Sequence, residues 1–162
     1  MESELGIVLR EQQAVLSFLM SRVALVDGKE RRLAFEALAR GLFAHLSEWR
    51  SVLLPKAGHT ELARQTAANA RLVAGIVAKT FGEQQGVGAS TDIQPLMTSV
   101  LALFAQESTL LKTVFSALPH PIQAALAVEA EQEFIRLVGP DNVDGSPGQW
   151  RALREADGTL TT

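Results

Sequence analysis

Leu42-Phe43-Ala44-His45-Leu46-Ser47-Glu48-Trp49-Arg50-Ser51-Val52-Leu53-Leu54-Pro55 is the most informative segment of the chain. It holds the only histidine set deep inside a helical apolar pattern, and it closes on an aliphatic run and a proline. A partial echo returns as Leu103-Phe104-Ala105-Gln106 and ends in Thr113-Val114-Phe115-Ser116-Ala117-Leu118.

The helix that carries this stretch begins near Lys29 and shows Leu33, Phe35, Leu38, Leu42, Phe43, Leu46, Trp49, Val52 and Leu53. It is expected to run to Leu54 and end at Pro55 and Gly58, because proline cannot continue a helix. Upstream, Leu5, Val8, Leu9, Val15, Leu16, Leu19, Val23 and Val26 recur at threes and fours, the mark of an amphipathic helix with one buried face. Asp27-Gly28 separates the two, since glycine accepts the left-handed backbone of a helix end. Downstream, Thr60-Glu61 caps a third helix reaching about Phe81. Its face is Leu62, Ala63, Ala67, Ala70, Leu72, Val73, Ile76 and Val77, and Gly75 would permit close approach to a neighbour.

Ser90-Thr91-Asp92 caps a fourth helix, with Pro95 near its first turn and Ile93, Leu96, Met97, Val100, Leu101, Phe104, Leu110, Leu111, Val114 and Phe115 on its face. Pro119-His120-Pro121 breaks it. A fifth helix follows from about Pro121 to Val138, with Ile122, Leu126, Phe134, Ile135 and Leu137 as buried candidates. No alternating strand pattern is present. The expected class is all-α: an antiparallel up-down four-helix bundle with an extra C-terminal helix. Residues 1–138 form the helical domain and 139–162 a polar tail, in which Trp150, Ala152 and Leu153 are expected to make one short docking turn.

Composition narrows the function classes. A chain of 162 residues with 47% apolar side chains has ample material for one folded core. Net charge is −3, so there is no basic field for nucleic acid or an anionic membrane surface. The absence of cysteine removes disulfides, thiolate metal sites and a cysteine nucleophile. The start, Met1-Glu2-Ser3-Glu4, is acidic where a secretory signal is basic, and the least charged stretch falls short of the roughly 20 apolar residues of a membrane span. A cytoplasmic setting is expected. The loop from Gly82 to Ala89 is glycine-rich but has no strand before it, which excludes a phosphate loop.

The segment Leu42–Pro55 resembles the hemerythrin-like family, helical bundles that hold two non-haem iron atoms with histidine and carboxylate ligands. The second helix of that family reads histidine, a glutamate ligand four residues on, an aliphatic pair, and a proline. His45 stands at the histidine position, Pro55 at the proline position, and Glu48 matches a common acidic neighbour, but the ligand position is Trp49. The family's fourth helix repeats the motif. Aligning Leu103-Phe104-Ala105 with Leu42-Phe43-Ala44 places Gln106 at the histidine position and Leu110 at the glutamate position. The first and third helices should each bring another histidine, and the matching neighbourhoods hold Gln12 or Gln13 and Asn69. The resemblance extends over residues 5–118.

The chemistry agrees with the loss of that site. A histidine and a carboxylate at i and i+4 share one helix face and can grip one ion. Here the i+4 positions carry an indole and an isobutyl group, neither of which is an oxygen donor for iron. Trp49 and Leu110 are expected to fill the vacated space, giving a metal-free bundle with an apolar centre. The pocket candidates are His45, Trp49, Gln106, Leu110, Gln12 and Asn69. No cofactor is expected. The alternative is residual iron for oxygen or redox sensing, held by His45, Glu48, Glu107 and Glu11.

The remaining groups read as structure. His45 is expected to be a hydrogen-bonded core histidine, and Glu48 and Glu107 solvated residues at the bundle edge. Phe43, Phe104 and Phe115 read as core. His59 and His120 stand at helix ends, and Glu129, Glu131 and Glu133 form an exposed charged face. Nothing resembles a serine-enzyme motif. The expected role is therefore non-enzymatic, through a protein partner (a homodimer among them) or a small apolar ligand.

Overall fold

Residues 2–84 and 92–138 are described by the computed structural model, and within them every regular element is helical. Ser3 opens α1 (Glu4–Leu25) by accepting the Gly6 backbone N–H on its hydroxyl at 3.1 Å. The break at Asp27-Gly28 falls where the glycine predicts it. Gly28 has φ of 58°, and α2 (Gly28–Glu48) starts from it.

The helix through Leu42–Pro55 departs from the expected regular course. After Glu48 the chain widens into a π-helical turn, Trp49–Leu53, in which the Leu54 N–H reaches the Trp49 carbonyl. It then tightens into a 3₁₀ turn, Leu54–Lys56. Pro55 explains the change: its ring would press on the Ser51 carbonyl and it has no N–H to give, so a regular helix cannot run through it. Gly58, at φ of 78°, completes the reversal.

Thr60 caps α3 (Glu61–Gln84), its hydroxyl accepting from the Ala63 N–H at 3.2 Å. This helix runs past Phe81 and takes in Gly82. Gly75 is exposed, and a methyl group added there would meet nothing within 4 Å, so it brings no helix close. Asp92 supplies the one cap that is described of the expected Ser90-Thr91-Asp92 group, accepting from the Gln94 N–H at 2.9 Å. It opens α4 (Gln94–Thr113), which ends in a 3₁₀ turn, Phe115–Ala117. Finally α5 covers His120–Val138. The expected turn around Trp150 and the rest of the glycine-rich loop lie outside the described residues.

Helix α2 is the axis of the packing, lying against α1, α3 and α5. Helix α4 packs on α3 and touches α1, while α5 lies along both α1 and α2. Buried apolar residues form two clusters. One contains Leu16, Leu19, Phe35, Leu38, Leu42, Val73, Val77, Leu96, Val100 and Leu103. The other contains Leu5, Leu9, Trp49, Leu53, Leu110, Phe115 and Leu126. Several residues assigned to faces by periodicity point outward instead: Leu33, Phe43, Leu72, Leu101 and Ile122 are exposed. No helix of the described residues is long and apolar enough to cross a membrane.

Candidate functional site: a polar layer between two apolar clusters

Along α1 the buried stripe runs Leu5, Leu9, Gln12, Leu16, Leu19, Val23. Along α2 it runs Leu38, Leu42, His45, Trp49, Leu53, and along α4 Leu96, Val100, Leu103, Glu107, Leu110. In each helix one polar residue stands in register between the two apolar clusters. Packing the three helices together brings Gln12, His45 and Glu107 into one layer, joined by Glu48 from the next turn of α2 and Gln13 from α1.

The layer is held together by its own hydrogen bonds. His45 Nε2 lies 2.8 and 3.0 Å from the two Glu107 oxygens, and His45 Nδ1 lies 3.0 Å from Gln12 Oε1. Gln12 Nε2 donates to Glu48 Oε1 at 2.9 Å, and Gln13 Nε2 donates to Glu107 Oε1 at 3.0 Å. In this arrangement both ring nitrogens of His45 face oxygen acceptors, which is the bonding pattern of an imidazolium. Phe104 sits edge-on to the imidazole at 5.5 Å, and Trp49 flanks it at 6.4 Å. His45 and Glu48 are 0% exposed and Glu107 is 1% exposed.

Burial sets the protonation of the layer. Desolvation alone would push His45 down, but the charge and hydrogen bond of Glu107, then the charge of Glu48, outweigh it and the pKa rises. Glu48 is pushed up to about 8, chiefly by burial. The Glu107 and Glu131 charges add to that rise, while His45 and the Gln12 hydrogen bond oppose it. The raised His45 pKa favours the charged ring that its two oxygen neighbours suit, and the raised Glu48 pKa favours the neutral acid, so burial is eased on both counts. Glu48 Oε2 and the adjacent Trp49 Nε1 have no hydrogen-bond partner among the described residues, and Glu48 Oε2 stands 3.6 Å from His45 Nδ1.

Three expectations are corrected by this geometry. The centre is polar, not apolar: Trp49 and Leu110 are buried as expected, but they belong to the apolar cluster beside the layer, where Trp49 packs edge-on to Phe115 at 6.0 Å. Glu48 and Glu107 are core residues and not solvated edges. Gln106 does not take the position facing His45. It turns to the α3–α4 seam, where its Oε1 accepts from Asn69 Nδ2 at 2.7 Å. Of the six pocket candidates, His45 and Gln12 touch directly, Trp49 flanks His45, and Leu110, Gln106 and Asn69 do not join the layer. His45 is the hydrogen-bonded core histidine that was expected.

The iron-binding donor set does not fit. Among the described residues no group of three or more His, Asp or Glu side chains is arranged to hold a metal ion. His45, Glu48 and Glu107 are hydrogen-bonded into the layer, and Glu11 is a half-buried residue of α1. A metal-binding imidazole must turn an unprotonated nitrogen to the ion, whereas both nitrogens of His45 face amide or carboxylate oxygens.

A second feature lies on the surface between α2 and α3. A cleft of about 340 Å³ is lined by Phe43, Leu46, Ser47, Arg50 and Leu54 on one side and by Ala67, Ala70, Arg71 and Ala74 on the other. Phe43, read as core from its spacing, is 44% exposed at this cleft. Comparison with family models, with curated proteins and with solved structures gives no match.

Proposed function

We propose that this chain is a divergent hemerythrin-like bundle, with α1 to α4 in antiparallel up-down order and α5 as the extra helix. In this reading it works as a non-enzymatic binding module in which a hydrogen-bonded polar layer has replaced the di-iron centre. The observation that carries the reading is the state of His45, fully buried and engaged at both ring nitrogens. A buried histidine so engaged has no free lone pair for iron and no route to a substrate. The lack of solvent access to Glu48 and Glu107 argues in the same direction against acid–base work on an outside molecule. The cleft between α2 and α3, with its largely apolar lining, is where a small apolar ligand would sit in this reading.

Iron loading tests this. The full chain is incubated anaerobically with ferrous iron, exposed to air and desalted, and then assayed for metal and near-ultraviolet absorption. The expected result is well under one equivalent of iron and no near-ultraviolet band. Two retained equivalents with such a band would overturn the reading.

A further inference from the structure

We propose that the α2–α3 cleft binds a small amphipathic anion, its apolar tail against Phe43, Leu46, Leu54 and Ala70 and its anionic head between Arg50 and Arg71. This rests on the binding-module reading above and names the class of ligand. Phe43, Leu46, Arg50 and Leu54 fall at helical spacing on one face, and Ala70 and Arg71 face them from α3. Methyl side chains on the α3 side leave the space that larger residues would fill, and its volume lies at the lower end of the roughly 300–1,000 Å³ of ligand pockets. That volume suits one small molecule.

Charge selects the head group. Arg50 and Arg71 are both exposed, and neither has an ion-pair or hydrogen-bond partner among the described residues. The acid that interacts with the Ser47 hydroxyl, Glu133 of α5, is already held by Arg136 at 2.6 and 3.1 Å. Two unneutralised guanidinium groups on one apolar cleft, in a chain whose net charge is −3, form a local exception to the overall sign. Guanidinium groups pair well with carboxylate and phosphate oxygens, and their stems add apolar surface to the walls.

Titration calorimetry of the full chain with four probes sharing a ten-carbon tail decides the matter: decanoate, decyl phosphate, decanol and decyltrimethylammonium. Decanoate or decyl phosphate should bind at least about tenfold more tightly than decanol, and the cation should not bind measurably. The stronger of the two anions identifies the head group as carboxylate or phosphate. Arg50→Gln and Arg71→Gln, exposed changes that leave the core intact, should each weaken the anion about tenfold. Ala70→Phe, checked for helicity by circular dichroism, should abolish binding. Equal binding of decanol and the anions, unchanged affinity in both arginine variants, or no binding of any probe would each overturn the proposal. None of these outcomes touches the metal-free reading, which the iron-loading experiment tests separately.

Discussion

Replacing Glu48 by glutamine gives a pH-dependent test of the buried layer. The substitution keeps the shape of a protonated glutamic acid and removes its ability to ionise. In the folded chain Glu48 titrates at about 8, against 4.5 for a free side chain. Its folded-state pKa is raised, so the folded form holds the proton more tightly than the unfolded form. The associated stability is fully present below pH 4.5, declines through the window above it, and is lost as pH rises through about 8. At about 1.4 kcal/mol per pH unit, that window sets a ceiling of about 5 kcal/mol. His45 titrates in the same direction: its raised pKa gives stability present below 6.5 and lost as pH climbs through the folded value. The two groups share one field, along with Glu107 and, more distantly, Glu131 of α5, so Glu48 alone accounts for part of the ceiling. Urea denaturation of wild type and Glu48→Gln at pH 5, 6, 7, 8 and 9 reads the difference. The two proteins should be of similar stability at pH 5, and the variant should gain over wild type by several kcal/mol at pH 9. A constant difference, or a variant that loses ground as pH rises, would show instead that Glu48 is ionised in the folded protein.

Other substitutions separate packing from polar pairing. His45→Leu alone should cost about 3–5 kcal/mol because it leaves the buried Glu107 carboxyl without its His45 partner, whereas the double variant His45→Leu, Glu107→Leu should recover most of the loss in the same denaturation assay. Trp49→Ala should cost about 3–5 kcal/mol, and a loss under about 1 kcal/mol would mean the indole does not fill the core. Gly75→Ala, on an exposed helical position with open space around it, should raise stability by about 0.5–1 kcal/mol, seen as a higher thermal midpoint.

The helices were legible because their apolar spacing and caps agree. Thr60 sits at a helix start as its cap, and Gly28 stands where the chain must turn left-handed. The π turn was harder to see: Pro55 announces an interruption, but how the chain relieves the clash depends on what Trp49 and Leu53 pack against. The polar layer was also written in the sequence, in a place that alignment to a family motif obscured. Glu107 falls on the stripe Leu96, Val100, Leu103, Leu110, and Gln12 on the stripe Leu5, Leu9, Leu16, Leu19, so helical register alone points both inward. Matching Leu103-Phe104-Ala105 to Leu42-Phe43-Ala44 favoured Gln106, one residue off that register. Charge misled in the same way, since a glutamate is ordinarily placed in water and becomes a core residue only when a partner such as His45 meets it from another helix. The arginine-lined cleft could not be read from either helix alone, because Arg50 and Arg71 are brought together only by the α2–α3 packing.

His45, buried and engaged at both ring nitrogens, holds the three helices together at the polar layer. Long-range nitrogen–proton NMR of uniformly labelled protein at pH 7, incubated with ferrous iron, reads the state of that ring. Both ring nitrogens of His45 should be protonated, with sharp signals unmoved by the metal. A His45 ring with one bare nitrogen, or one broadened away by bound iron, would contradict this reading.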